Sequence, residues 1–174
     1  MEELLDLAKS GNEEAFTKII ISMKSELYGV ARTRLDNEDD IEDAIQETMI
    51  IAFRRLKTLR KNKFYRTWFV KILINECIYR KRKIKNIFGF GDIEPEELSE
   101  EITNIDKFIS DMSFEKLIEK LSYEEKLIFK LFYQNNYTVK EVAYILDKKE
   151  NTVKTIMKRS KEKIKQNYIG GDKK

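Results

Sequence analysis

Residues 40–85 read DIEDAIQETMIIAFRRLKTLRKNKFYRTWFVKILINECIYRKRKIK, and this stretch decides the fold. It opens acidic. Asp36, Glu38, Asp39, Asp40, Glu42, Asp43 and Glu47 fall in and just before its first turns, with no Lys or Arg among them. It then turns basic. Arg54, Arg55, Lys57, Arg60, Lys61, Lys63, Arg66, Lys71, Arg80, Lys81, Arg82, Lys83 and Lys85 face a single acid, Glu76, and Phe64, Tyr65, Trp68, Phe69 and Tyr79 are threaded among them. Ile41, Ala44, Ile45, Thr48, Ala52 and Leu56 recur at helical spacing and predict a buried stripe. Asp39, Asp43, Gln46, Glu47 and Ile50 fall on the other side of that helix. A polar, basic break at Leu59–Lys63 precedes a second helix, expected from about Phe64 to Lys85. The acidic face suits a basic protein partner, and the basic aromatic face suits a nucleic-acid backbone and unstacked bases. A solvated charged helix followed by an ordinary core helix has the same charge pattern, so charge alone does not choose.

Upstream, Leu4, Leu5, Leu7 and Ala8 predict a short amphipathic helix stopped at Ser10-Gly11. Asn12 can cap the next, with Glu13 and Glu14 favourable in its first turn. Phe16, Ile19, Ile20, Met23, Leu27, Val30 and Ala31 carry that helix to about Leu35, and Asp36–Asp39 forms a turn. Downstream, the pattern changes between Ile87 and Met112. Gly89, Gly91, the only Pro (Pro95) and a run of acids read as a flexible acidic linker.

Phe114, Leu117, Ile118 and Leu121 begin a second apolar pattern. Ser122–Glu125 and Thr138–Glu141 both read as capping boxes, and Gln134–Tyr137 as the turn between their helices. A three-residue break, Asp147-Lys148-Lys149, leads to a last helix from about Glu150 to Gln166, with Val153, Ile156, Met157, Ser160 and Ile164 inward. A short helix, a tight turn and a longer Lys-rich helix make a helix-turn-helix pattern. Asn151, Thr152, Lys154, Thr155, Lys158 and Arg159 are expected to face out, where such a helix reaches base edges and phosphates. A mere helical hairpin has the same outline. Gly170–Lys174 reads as a frayed tail.

The totals agree with an all-α chain of two small helical domains, a helical bundle and a helix-turn-helix domain. One Pro and six Gly among 174 residues argue against a turn-rich β fold. A charged content of 37% demands much surface, which two small units supply more readily than one globule. The expected boundaries are 1–87, 88–112 for the linker, and 113–174. These blocks carry +4, −7 and +6, a sharper statement than the net +3. With no His and one cysteine, Cys77, an intrachain disulfide, a Cys/His zinc site and His-based catalysis are excluded. Cys77 lies in an apolar helical pattern and reads as a buried, inert thiol. No apolar run approaches the ~18 residues of a membrane span, and there is no secretory leader pattern, so a cytoplasmic chain is expected.

With both basic blocks in view, the sequence resembles a sigma-70-type RNA polymerase sigma factor of the extracytoplasmic-function group. Three runs carry the resemblance: DIEDAIQETMIIAF at 40–53; FYRTWFVKILIN at 64–75 with the basic Arg80–Lys83; and YTVKEVAYIL at 137–146 with Thr152-Val153-Lys154. The resemblance implies an alternative sigma factor that binds core RNA polymerase and directs it to promoters, and not an enzyme. No cofactor or metal is implied. Asp43, Gln46 and Glu47 match the face that docks on the β′ clamp helices, and the β flap is a further implied contact on the polymerase. The Leu59–Phe64 loop, with Arg60, Lys61, Lys63 and Phe64, and Asn75 match the part that holds a flipped base of the −10 element. Tyr65 and Trp68 match aromatics near the melted strand, and Arg80, Lys81, Arg82 and Lys83 match positions near promoter phosphate. Asn151, Thr152, Lys154, Thr155, Lys158 and Arg159 match the helix that reads the −35 element. The linker would thread towards the RNA exit path, and an anti-sigma factor is an implied partner. The chain departs from the family pattern in three places. Asp147 and Lys148 replace the usual Gly and apolar residue of the turn, Lys149 the usual Ser or Thr cap, and Ile156-Met157 a common Arg-Leu pair.

Two other classes remain to be weighed. A stand-alone helix-turn-helix regulator explains the last helices but leaves residues 40–85 idle. A carboxylate–Mg²⁺ enzyme could be built on Asp39, Asp40, Asp43 and Glu47, but no second carboxylate helix is spaced to face them. A membrane-surface binder would need more contiguous apolar area.

Overall fold

A computed structural model describes residues 1–88 and 114–169, with side chains placed at 1–83 and 114–167. The acidic linker expected over 88–112, beyond Phe88 itself, lies outside the described residues, as does the expected tail at Gly170–Lys174. The described residues are all-α, and the chain divides into two compact units, Met1–Phe90 and Gly91–Lys174.

The first unit has four helices: α1 (Glu2–Lys9), α2 (Glu13–Ala31), α3 (Glu38–Arg55) and α4 (Tyr65–Phe88). Each begins or ends where the side chains dictate. Gly11 takes φ +103, open only to a residue without Cβ at little cost, and turns the chain out of α1. The Asn12 side chain accepts from the Ala15 N–H at 2.8 Å and starts α2. Asn37 caps α3, whose first turn carries Glu38, Asp39 and Asp40 and whose last carries Arg54 and Arg55, so charge follows the helix dipole at both ends. The turn before α3 is therefore shorter than expected, and Asp39 is already helical.

The predicted stripe is the core. Ile41, Ala44, Ile45, Thr48, Ala52 and Leu56 are all buried, against Phe16, Ile19, Met23 and Leu27 of α2 and Phe69, Leu73, Ile74 and Cys77 of α4. Each Ile, Leu, Met or Phe among them contributes roughly 1.5–3 kcal/mol before entropy is counted, and each Ala less. Leu7 instead points out, and only Leu5 and Ala8 anchor α1. The break between α3 and α4 is less polar than expected. It is two 3-10 turns, Leu56–Thr58 and Asn62–Phe64, pinned by buried Leu56 and Leu59.

The second unit holds α5 (Phe114–Ile118), α6 (Tyr123–Phe129), α7 (Val139–Leu146) and α8 (Glu150–Ile169). Both capping boxes form, at Ser122/Glu125 and Thr138/Glu141. One element is unexpected. Helix α6 widens into a π turn at Lys130–Gln134, closed by the Asn135 N–H donating to the Lys130 carbonyl at 3.0 Å. Phe129, buried beside Leu117, Ile118, Leu121 and Ile164, packs 5.2 Å from the Tyr133 ring. Asn136 then takes φ +58 to turn the chain into α7.

Candidate nucleic-acid interface and docking face

Helix α3 presents the candidate docking residues. Burying the Ile41/Ala44/Ile45/Thr48 stripe leaves Asp43 and Gln46 exposed and Glu47 half-buried. Two apolar neighbours join them: Ile50 is 38% and Phe53 41% exposed, so this candidate face includes a hydrophobic part. Phe53 was not among the expected site residues. Its spacing of i+7 from Gln46 is the signal that would have found it. Its ring meets Phe16 edge-on at 5.0 Å, so it is held in place from below.

Helix α4 carries the basic aromatic set. Phe69, Val70, Leu73, Ile74 and Cys77 turn inward, which leaves Trp68, Asn75, Tyr79 and Arg82 along the opposite side. Asn75 is exposed, and Trp68 is half-buried with its ring edge-on to Phe69 at 5.3 Å. Tyr79, 61% exposed, is the most open aromatic among the described side chains of unit 1 and lies one turn beyond Asn75, outside the expected site. Arg60, Lys61 and Lys63 are exposed on the loop, and the Lys63 ammonium lies 5.0 Å over the exposed Phe64 ring. Tyr65 is half-buried at the start of α4, and Arg82 and Lys83 are exposed at the far end.

Two residues given separate roles meet. The Arg80 guanidinium pairs with the Asp43 carboxylate at 3.0 Å and with Glu76 at 3.3 Å. The docking face and the basic face are thus joined by an ion pair between α3 and α4. Lys81 Nζ donates to the Arg34 carbonyl at 3.3 Å, and Arg66, outside the expected set, grips Glu26 through two nitrogens at 3.0 and 3.1 Å. Part of the basic run therefore holds the bundle together.

In unit 2 the turn between α7 and α8 explains the departure at Asp147. It takes φ +56 and ψ +42, the left-handed region, where Asp is one of the few non-glycine residues tolerated. The Lys148 N–H reaches back to the Ala143 carbonyl at 2.9 Å and closes α7. Lys148 also pairs with Glu124 at 3.1 Å, tying the turn to α6. On α8, Asn151, Thr152, Lys154 and Thr155 face out as expected. Lys158 and Arg159 are half-buried instead, and the Nε of Arg159 is itself buried. A shallow groove beside the turn is lined by Lys140, Tyr144, Lys148, Lys149 and Asn151, of which Tyr144 is 53% exposed and was not foreseen. Among the described residues, no three acidic or cysteine side chains gather where they could hold a metal ion, and the Asp39/Asp40/Asp43/Glu47 set does not do so.

These features agree with known proteins. Sigma-70 region 2 matches residues 19–87, and Sigma-70, region 4 matches residues 111–164. RNA polymerase sigma factor SigV of Bacillus subtilis is 30% identical over 141 residues, covering 81% of this chain and 83% of that one. The chain belongs to the sigma-70 family, in its extracytoplasmic-function group. It is an alternative sigma factor, which binds core RNA polymerase and directs it to specific promoters for transcription initiation. A second relative, ECF RNA polymerase sigma factor SigW of Bacillus subtilis, is 26% identical over 170 residues, with 90% of each chain covered. The sigma factor shares its fold with RpoE of Bartonella quintana, solved with the anti-sigma factor NepR, at a TM-score of 0.67 and 19% identity over 91% of this chain and 98% of that one. A stand-alone helix-turn-helix regulator would have no use for region 2, and that reading falls away.

Proposed function

We propose that the two units divide promoter recognition between them, with residues 1–87 serving polymerase docking and the −10 element, 88–112 joining, and 113–174 serving the −35 element. The observation that carries this is the layout of unit 1. An exposed acidic-polar face on α3 and an exposed basic aromatic face on α4 share one core and are bridged by the Asp43–Arg80 ion pair. Asp43, Gln46 and Glu47, joined by Ile50 and Phe53, dock on the β′ clamp helices, and unit 2 meets the β flap. Arg60, Lys61, Lys63 and Phe64 with Asn75 receive a flipped base, while Tyr65, Trp68 and Tyr79 offer rings to the melted strand. Opening the duplex costs roughly a few kcal/mol of unstacking per base, which stacking and phosphate contacts offset. Arg80, Lys81, Arg82 and Lys83 lie near phosphate, where charge adds affinity without sequence information. Asn151, Thr152, Lys154, Thr155, Lys158 and Arg159 read the −35 element from the major groove.

The factor performs no chemistry of its own and works in the cytoplasm, where core polymerase is. Among the described residues no helix is long and apolar enough to cross a membrane. An anti-sigma factor is a fitting regulator, since RpoE of Bartonella quintana was solved with one.

Run-off transcription with core polymerase and genomic fragments tests the assignment. Gln46→Ala with Glu47→Lys should weaken core binding at least tenfold while the far-ultraviolet spectrum stays native, the effect of placing a lysine on a face that meets a basic partner. Unchanged capture of core would sink the docking assignment. Lys158→Glu should lower transcription only on templates with a −35 element; an equal loss on templates lacking it would remove that role.

A further inference from the structure

Helix α1 lies outside the residues matched by region 2, yet it grips the loop at the centre of that region. Lys9 Nζ donates to the Leu59 carbonyl and to Asn62 Oδ1, both at 2.6 Å. Asn62 Nδ2 in turn donates to Asp6 Oδ1 at 2.7 Å and to the Glu2 carbonyl at 3.4 Å. The four bonds run from one face of α1 to the two ends of a short span that contains Arg60 and Lys61 and leads into Lys63 and Phe64. Leu5 and Ala8 seat α1 in the core, and Leu59 seats the near end of the loop. An eight-residue helix would not persist alone in water, so its position depends on that seating and its bonds.

We propose that α1 is a specificity clamp, in which Lys9, Asp6 and Asn62 hold the Leu59–Phe64 loop in the one shape that accepts the correct −10 base. This rests on the loop being the −10 site, as read above. Three points support it. First, Leu59 is buried while Phe64 and the charged side chains between them are exposed, so apolar packing fixes one end of the loop and leaves the rest to polar bonds. Second, the ammonium of Lys9 binds a carbonyl and an amide oxygen at once, and charge-assisted bonds are the stronger kind. Third, a base taken out of the stack has already lost its pairing partner, so a site that can flex around any base gains little discrimination. Discrimination needs a receiving surface fixed beforehand by supporting bonds. Lys9, Asp6 and Asn62 touch no DNA in this scheme and act as positioning residues.

The experiment uses the full chain with core polymerase on a promoter found by run-off transcription, and on versions of it substituted at each −10 position. The readout is the ratio of open-complex formation on the cognate template to that on each substituted one, beside core affinity and melting temperature. Lys9→Met keeps the stem and removes the ammonium. It removes both bonds of the ammonium and should lower discrimination at least about tenfold, with core affinity held. Lys9→Arg should restore most of it, and Asp6→Ala, at an exposed carboxylate, should lower it less. Should Lys9→Met fail to fold, Asp6→Ala carries the test alone with the same expected direction. Phe64→Ala serves as the control for the loop itself. Lost discrimination in Phe64→Ala but not in Lys9→Met or Asp6→Ala overturns the clamp and leaves the −10 site standing. Unchanged discrimination in all three overturns the site and the clamp together. An equal fall of core affinity and discrimination in Lys9→Met makes α1 a structural prop and also overturns the clamp.

Discussion

Cys77 has no exposed surface on the inner side of α4, and burial pushes its thiol up to about 12 from an ordinary 9.0, with Glu76 adding to the rise and Arg34 and Arg80 opposing it. The thiolate is the reactive form, so the native chain should resist a disulfide reagent at pH 8 and react once denatured. Rapid labelling of the native protein would contradict the burial. The sign for stability follows from the same shift. The folded state keeps the proton that the unfolded thiol gives up, so this contribution is whole below pH 9.0 and is lost as pH rises towards 12. Its inertness was legible from the apolar pattern around it. The pairing of Arg80 with Asp43 was not, because nothing in the sequence says that residue 43 and residue 80 meet. At Asp147 the sequence marked a departure, and the backbone shows why a short polar side chain can stand there.

Helix α6 shows how an element is stabilised beyond its own turn. Glu125, only 7% exposed, closes the capping box by accepting from the Ser122 N–H at 2.8 Å and reaches across to Lys163 of α8 at 2.7 Å. Desolvation is the largest influence on its carboxyl and pushes it up, but Lys163 and the Ser122 bonds together outweigh it, so it sits below the ordinary 4.5. A depressed carboxyl stabilises the fold above the unfolded value and loses that contribution as pH falls from 4.5. Glu125→Gln should cost about 1–3 kcal/mol at neutral pH and flatten the acid limb of the melting curve, as read by thermal denaturation against pH. An acid limb as steep as the parent's would assign the loss elsewhere. The capping box was plain in the sequence. The tie to α8 and the π turn at Lys130–Gln134 were not, since the first joins residues 38 positions apart and the second sits where Phe129 and Tyr133 pack, which spacing along one helix does not contain.

At the scale of the molecule, each unit has its own core, one built on Phe16, Ile41 and Phe69 and the other on Leu117, Phe129 and Ile164. Expressed separately, Met1–Phe90 and Gly91–Lys174 should each melt in a single cooperative transition, measured by circular dichroism. A gradual, uncooperative melt of either would show that its core depends on the other. Two domains were readable because composition changes sharply at the acidic stretch, and the first-domain helices because apolar residues repeat every three or four positions.

Periodicity and capping depend on neighbours within one helix, so the sequence by itself determined the helices, the buried stripe of α3, both capping boxes and, through its three family runs, a place among sigma factors. Residues 40–85 therefore showed an acidic half and a basic aromatic half before any coordinates. The tertiary structure alone decided which charges also hold the chain together: Arg66 on Glu26, Arg80 on Asp43, and Lys9 on a loop some fifty residues away. Such pairings depend on the crossing of helices distant in sequence. A charged residue looks the same in the sequence whether it meets a promoter or its own chain.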